Sequence, residues 1–187
     1  MADPAEAVVR TAQAMLARGL VAATQGNVSA RVGDGIWITP SARPYEPMTA
    51  ADVVPVLLGG PAPAGDPAPS SEWRVHAAIY RARPDVAAIV HTHSVHATAW
   101  SHLGADLALA AEDFPQPVRT AAFAPTGTDE LAAAAAAALG PRPAVLLARH
   151  GVVGVGGSLD AALEVCTMLE RMAQMAWLLR SGAAARG

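Results

Sequence analysis

The sequence predicts an α/β fold in which a mixed or largely antiparallel sheet is covered by helices. Three observations lead there. Helical and strand periodicities alternate along the chain, two strand pairs have the spacing of hairpins, and hydrophobic residues reach 52% with an aromatic share of only 4%. That composition builds a core of Ala, Val and Leu with close approach between elements. The 187 residues suffice for one domain with a sizeable core, and 1–187 is read as that domain.

Residues 4–18 form an opening helix, with Pro4 in its first turn, Val8, Val9, Ala12, Met15 and Leu16 on one broad face, and Gly19 as its stop. Segments 28–32 and 35–39 look like a hairpin joined through Gly33-Asp34-Gly35, and 53–58 is a further short strand. The Gly, Pro and Ala-rich stretch 59–69 is a surface connection. A helix follows from Ser70-Ser71-Glu72 to about Arg83. Its serines are expected to cap free N–H groups, with Glu72 in the first turn where the helix dipole favours an anion. Pro84 ends it, strand 86–91 follows, and a helical stretch begins near His96. Segment 117–125 is weakly patterned. Thr128-Asp129-Glu130 caps an alanine-rich helix over 129–139; strand 144–148 and a paired strand from Val152 to Val155 come next, and a long helix runs from about Ser158 to Leu179. Gly154-Val155-Gly156-Gly157 has Leu159 where a dinucleotide loop needs its third glycine, so it is read as a turn.

Charge and composition narrow the function. A formal net charge of -3 argues against nucleic acid, whose phosphates need a basic surface. Cys166 lies within an apolar run and reads as a core residue. The N-terminal stretch lacks a basic leader followed by an apolar segment, and no stretch is long and apolar enough for a membrane span, so the expected location is the cytoplasm. All 13 basic residues are arginine. A chain without lysine has no side-chain amine for iminium catalysis.

The chemistry concentrates at Val90-His91-Thr92-His93. The two-residue period of a strand puts both imidazoles on one face, where they suit one divalent metal. His150 also follows a short apolar strand and is the best third ligand. Glu72 precedes a single helix that leads back to the histidine strand, so it lies at the same end of the molecule; it is read as a ligand, a base, or only a helix cap. His96 is expected to have an interior or supporting role, His76 to pack or lie on the surface, and His102 to lie on the surface. Small polar loops at Thr24-Gln25-Gly26-Asn27-Val28-Ser29, Thr39-Pro40-Ser41 and Ser70-Ser71 offer hydroxyls and N–H groups to an anion.

Taken in order with Arg149-His150-Gly151, these motifs resemble the class II aldolase/adducin family over roughly residues 5–180, most of all its fuculose-phosphate aldolase branch. The resemblance implies a three-layer α/β/α domain around a mainly antiparallel sheet, usually assembled as a homotetramer. It implies zinc, or manganese or cobalt, held by His91, His93 and His150. Glu72 would be both ligand and acid/base, and the substrate phosphate would be held by Gly26, Asn27, Ser41, Ser70 and Ser71. No organic cofactor is expected. The implied reaction is metal-dependent cleavage of a ketose phosphate, the small-molecule partner, to dihydroxyacetone phosphate and an aldehyde. Alternatives on the same scaffold are decarboxylation of a 3-keto sugar-acid phosphate, and epimerase or dehydratase chemistry on a sugar phosphate; a non-enzymatic adducin-like role is disfavoured by the intact ligand set. The chain departs from the family in two places. Ala42 stands where the phosphate loop usually has glycine, and Ala110-Ala111-Glu112-Asp113-Phe114 occupies the region of the aldolase's catalytic tyrosine.

Overall fold

The computed structural model describes residues 3–61, 64–108 and 115–184. Helix α1 (Pro4–Ala17) is capped by Asp3, whose carboxylate accepts the Ala5 N–H at 2.9 Å. The hairpin follows as β1 (Asn27–Val32) and β2 (Gly35–Ile38), and a single 3-10 turn at Ala50–Asp52 leads into β3 (Val54–Leu57). Then come α2 (Trp73–Ala82), β4 (Ala88–Thr92), α3 (Val95–Ser101), β5 (Thr120–Ala121), α4 (Asp129–Leu139), β6 (Ala144–Leu147), β7 (Gly151–Gly156) and α5 (Leu159–Ala184). The expected cap of the alanine-rich helix is present, with Thr128 Oγ1 accepting the Leu131 N–H at 3.2 Å. In segment 117–125 only the two residues of β5 pair into the sheet. No described helix is long and apolar enough to cross a membrane.

The seven strands form one sheet in the order β3-β2-β1-β4-β7-β6-β5. Every neighbouring pair is antiparallel except β5 and β6, which are parallel. The sheet is therefore mixed but mainly antiparallel, as the sequence predicts. Strand alternation divides the core. Val28, Val90 and Val152 face the layer of α1, α3 and α5, whereas Ile38, Ile89 and Val153 face α2 and α4. Cys166 is fully buried in the first of these layers.

The glycine run after Val153 is not the turn expected from the sequence. Gly154 and Gly156 belong to β7, paired with Val90 and Ala88 of β4. A Cβ on Gly154 would stand 2.6 Å from Cys166 Sγ, and one on Gly156 would stand 2.8 Å from the Ala162 N of α5. Glycine recurs here because a helix lies directly on the strand. The pattern marks close packing, not a bend.

Two consequences of this layout position the site. The C-terminal end of β4, the β6–β7 turn and the N-terminus of α2 meet at one end of the central strands. The α2 face that covers the sheet also carries polar groups, since Glu72, His76 and Tyr80, spaced i, i+4, i+8, are all buried there. Fully burying an aliphatic side chain contributes about 1.5–3 kcal/mol. Val75 and Ile79, both buried on the same helix, offset the cost of taking those polar groups out of water.

Candidate active site

The structure gathers Glu72, His91, His93 and His150, with one ligand atom from each all within 4.8 Å of one another. His91 is the penultimate residue of β4, His93 lies just beyond it, and His150 sits in the turn before β7. The three imidazole rings meet edge to face with centroids 4.8 to 5.0 Å apart. Gly151 makes this possible. A Cβ there would run into the Thr92 carbonyl and stand 3.2 Å from His91 Cε1 and 3.3 Å from His93 Cδ2.

Hydrogen bonding fixes what the site presents. The Val152 carbonyl can only accept, so His91 Nδ1 carries the proton in their 2.7 Å contact. When its ring is neutral, His91 turns a bare Nε2 toward Glu72 Oε2, an acceptor, at 2.9 Å, and toward His93 Nε2 at 2.9 Å. On the other side, Glu72 Oε1 lies 3.2 Å from His150 Nε2, yet it is buried without a hydrogen bond. The contact is close, but its angles do not make a bond. Three imidazole nitrogens and a carboxylate oxygen thus converge on one point, and their deprotonated forms suit a cation among them. Three imidazoles and one carboxylate fit zinc, and also manganese or cobalt.

The same crowding sets the titration behaviour. Burial pushes the Glu72 carboxyl up, but the imidazoles of His91 and His150 and the Asn27 amide outweigh it and hold it well below its usual range. Burial, joined by the charge of neighbouring His91 and His150, lowers His93 to about 3, and burial with His91 lowers His150. For His91 burial works against protonation, but the adjacent Glu72 carboxylate prevails and raises its pKa. Two of the rings are thus held in the neutral form that a metal requires.

Glu72 differs from its expected place in one respect. It is the N-cap of α2 and not a first-turn residue, and its side chain makes no capping bond to the helix. Ser70 Oγ accepts the Glu72 N–H at 3.3 Å, which leaves the carboxylate free to face the histidines. Glu72 therefore does not cap the helix through a side-chain hydrogen bond.

Gly26, Asn27, Ser41, Ser70 and Ser71 line a cavity of about 340 Å³ that also touches Glu72, His93 and His150. Gly26 has φ 74°, and a Cβ there would stand 2.5 Å from the His91 carbonyl, so no other residue type fits without displacement. Tyr45 supports this loop, its hydroxyl lying 2.6 Å from the Gly26 carbonyl and 3.0 Å from that of Gln25. The serines offer less backbone than expected. The Ser41 N–H donates to the Ala68 carbonyl at 2.9 Å and the Ser70 N–H to the Thr39 carbonyl at 3.0 Å, so these two residues present hydroxyls only. Among the described residues, no arginine lines the cavity.

Thr126 also lines the cavity; it lies between the weakly patterned segment and the Thr128 cap and carries no motif signal in the sequence. His76 is the larger omission. It is fully buried, with Nε2 2.5 Å from Asn27 Oδ1 and Nδ1 2.7 Å from Ser29 Oγ, and burial above all lowers its pKa to about 3. The signal that could have found it is its i+4 spacing from Glu72. His96 pairs with Glu170 at 2.7 Å in the α3–α5 layer, a supporting role as expected, and His102 is exposed. Glu112 and Asp113, with the rest of 109–114, lie outside the described residues.

Comparison with known proteins agrees with this geometry. The sequence profile for the class II aldolase and adducin N-terminal domain matches residues 6–177. The L-fuculose phosphate aldolase of Escherichia coli (strain K12) is 38% identical over 175 residues, covering 91% of this chain and 81% of its own length. The 5-methylthioribulose-1-phosphate/5-deoxyribulose-1-phosphate aldolase of Rhodospirillum rubrum is 37% identical over 174 residues, covering 91% and 78%. Among solved structures, an L-fuculose 1-phosphate aldolase superposes with a TM-score of 0.91 at 30% identity, over 97% of this chain and 88% of that one. The chain belongs to the class II aldolase and adducin family, and within it stands with the sugar-phosphate aldolases of fuculose-phosphate and methylthioribulose-phosphate type.

Proposed function

We propose that the protein is a metal-dependent aldolase that cleaves a ketose 1-phosphate into dihydroxyacetone phosphate and an aldehyde. In this reading His91, His93 and His150 hold the metal, zinc before manganese or cobalt, and Glu72 completes the resting set. The observation that carries it is the convergence of those four side chains at the wall of a cavity lined by Gly26, Asn27, Ser41, Ser70 and Ser71. A carbon–carbon cleavage centre and an anion seat thus share one wall, as a phosphorylated ketose requires.

When bound, the metal supplies a Lewis acid that polarises the substrate's keto and hydroxyl oxygens. The residues of the chain do the rest. The hydroxyls of Ser41, Ser70 and Ser71 and the oriented amides of the Gly26-Asn27 loop hold the phosphate by dipoles, with no cation of their own. Glu72 carries the proton at the carbon beside the dihydroxyacetone phosphate carbonyl. Its environment suits that duty. Contact with His91 and His150 keeps it ionised, and once it leaves them the same burial raises its pKa toward the range of a working acid/base. The same reading makes the protein a cytoplasmic homotetramer whose small-molecule partner is the sugar phosphate.

The test is a substrate panel with products identified by mass spectrometry. It contains fuculose 1-phosphate, 5-deoxyribulose 1-phosphate, 5-methylthioribulose 1-phosphate and a 3-keto sugar-acid phosphate. Release of dihydroxyacetone phosphate from one of the three ketose 1-phosphates is expected. Carbon dioxide from the keto acid, with no cleavage of the others, would replace the aldolase by a decarboxylase.

A further inference from the structure

A buried polar chain shared by β1 and α2 ends on Glu72. Asn27 Nδ2 lies 3.1 Å from Glu72 Oε2. Because an ionised carboxylate only accepts, this contact fixes the orientation of the Asn27 amide and leaves Oδ1 facing His76 Nε2. A carbonyl oxygen only accepts as well, so His76 carries its proton on Nε2. With a neutral ring, Nδ1 is then an acceptor for the Ser29 hydroxyl 2.7 Å away. The Tyr80 hydroxyl, 3.0 Å from Ser29 Oγ and 3.1 Å from the Ser29 carbonyl, supplies the last donor. From Ser29 onward every donor in the series points toward Glu72, and hydrogen bonds aligned in one direction strengthen one another in a low dielectric.

The placement follows from the fold. Asn27 and Ser29 are two apart on one face of β1, and Glu72, His76 and Tyr80 are four apart on one face of α2, so strand and helix interleave their polar side chains like teeth. All five residues are buried, the most exposed of them being Glu72 at 5%. A fully buried imidazole with both nitrogens engaged is costly as mere packing, since an aliphatic side chain would fill the space without desolvating a polar ring.

We infer that His76 is a positioning residue for Glu72, acting through Asn27, with Ser29 and Tyr80 fixing its tautomer. The inference rests on the proposed role of Glu72 as proton carrier. Asn27 accordingly serves two sides, since it lines the anion cavity and also holds the carboxylate.

Two measurements test it. Nitrogen-15 NMR of labelled imidazoles in the intact protein should show His76 with a protonated Nε2 and a bare Nδ1; the opposite tautomer would overturn the inference. His76→Gln keeps a terminal N–H where Nε2–H stands, whereas His76→Met keeps the bulk without the donor. The Met variant should lose kcat for ketose cleavage and for deuterium exchange into dihydroxyacetone phosphate by at least ~10-fold, with KM within about two-fold, and Gln should recover most of that loss. Equal losses in Gln and Met, or a loss confined to KM or to the thermal midpoint, would reduce His76 to a structural role. If the wild type neither cleaves nor exchanges, the proposed function fails on its own. Crystal structures of the two variants then decide the positioning: Glu72 leaving Asn27 in Met but not in Gln supports it, and Glu72 unmoved in both overturns it.

Discussion

Asn27 and His91 stand opposite each other as a register pair of β1 and β4, and both side chains end on the same atom, Glu72 Oε2, at 3.1 and 2.9 Å. They meet it differently. The Asn27 amide donates a proton, whereas His91, its Nδ1–H engaged by the Val152 carbonyl, has only a lone pair on Nε2 to offer when its ring is neutral. A proton or a metal ion on His91 Nε2 makes its contact with that oxygen attractive. This is the physical basis for reading the cluster as a metal centre with an attached carboxylate, and several consequences can be measured.

Ala42, the departure from glycine noted in the sequence, has φ 55°. A left-handed backbone costs an L-residue about 1–2 kcal/mol, and the extra chain entropy of glycine returns about 0.5–1 kcal/mol of that. Ala42→Gly should therefore raise the thermal midpoint by ~1–4 °C, read by calorimetry. A fall in the midpoint would show that the methyl makes a compensating contact.

Gly151→Ala should damage the metal centre more than the fold, because the new methyl meets the Thr92 backbone and both His91 and His93 rings. Metal per chain, measured by elemental analysis, should drop to well under half that of the wild type while far-ultraviolet dichroism stays native. Full metal content would mean that the β6–β7 turn yields without disturbing the rings.

Glu170 of α5 caps α3 from outside, its carboxylate accepting the N–H groups of His96 (3.0 Å) and Ala97 (2.9 Å) as well as His96 Nδ1–H (2.7 Å). Burial opposes its ionisation, but these donors prevail and lower its pKa from the ordinary 4.5. A carboxyl whose folded-state pKa is depressed adds stability that is fully present above the unfolded value and is lost as pH falls through the folded one. Glu170→Gln should cost about 1–2 kcal/mol at neutral pH, and the gap to the wild type should close as pH drops below the ordinary carboxyl value of 4.5 and through the lowered one. A gap independent of pH would assign the effect to packing.

Much of this fold was legible because its signals are local. Pro4 and Gly19 bracket α1, Thr128 caps α4, and the two-residue period of His91 and His93 places both imidazoles on one strand face. What escaped depends on contacts between elements. Gly154 and Gly156 read as a turn because nothing in their neighbourhood announces that α5 lies against them. His76 read as filler because its partners, Asn27 and Ser29, are more than forty residues away in sequence, at separations of 49 and 47. The N–H groups of Ser41 and Ser70 looked free because their acceptors lie in each other's loops. The spacing of Glu72, His76 and Tyr80 was visible throughout, but only the strand beside them gives it meaning.

Glu72→Gln should leave the protein folded, since the side chain makes no capping bond that Gln would lose. Proton exchange at the carbon beside the dihydroxyacetone phosphate carbonyl should slow by a factor of at least ~10², the usual scale for a general base. Unchanged exchange with metal still bound would reduce Glu72 to a ligand.

The central claim is tested most directly by the same exchange reaction in the wild type, followed by NMR in deuterated buffer before and after metal removal. It needs no knowledge of the aldehyde, so it isolates the chemistry of His91, His93, His150 and Glu72 from substrate choice. The account predicts exchange in the metal-loaded protein, its loss on chelation, and its return with zinc, manganese or cobalt. Undiminished exchange in a preparation verified to be metal-free would contradict it.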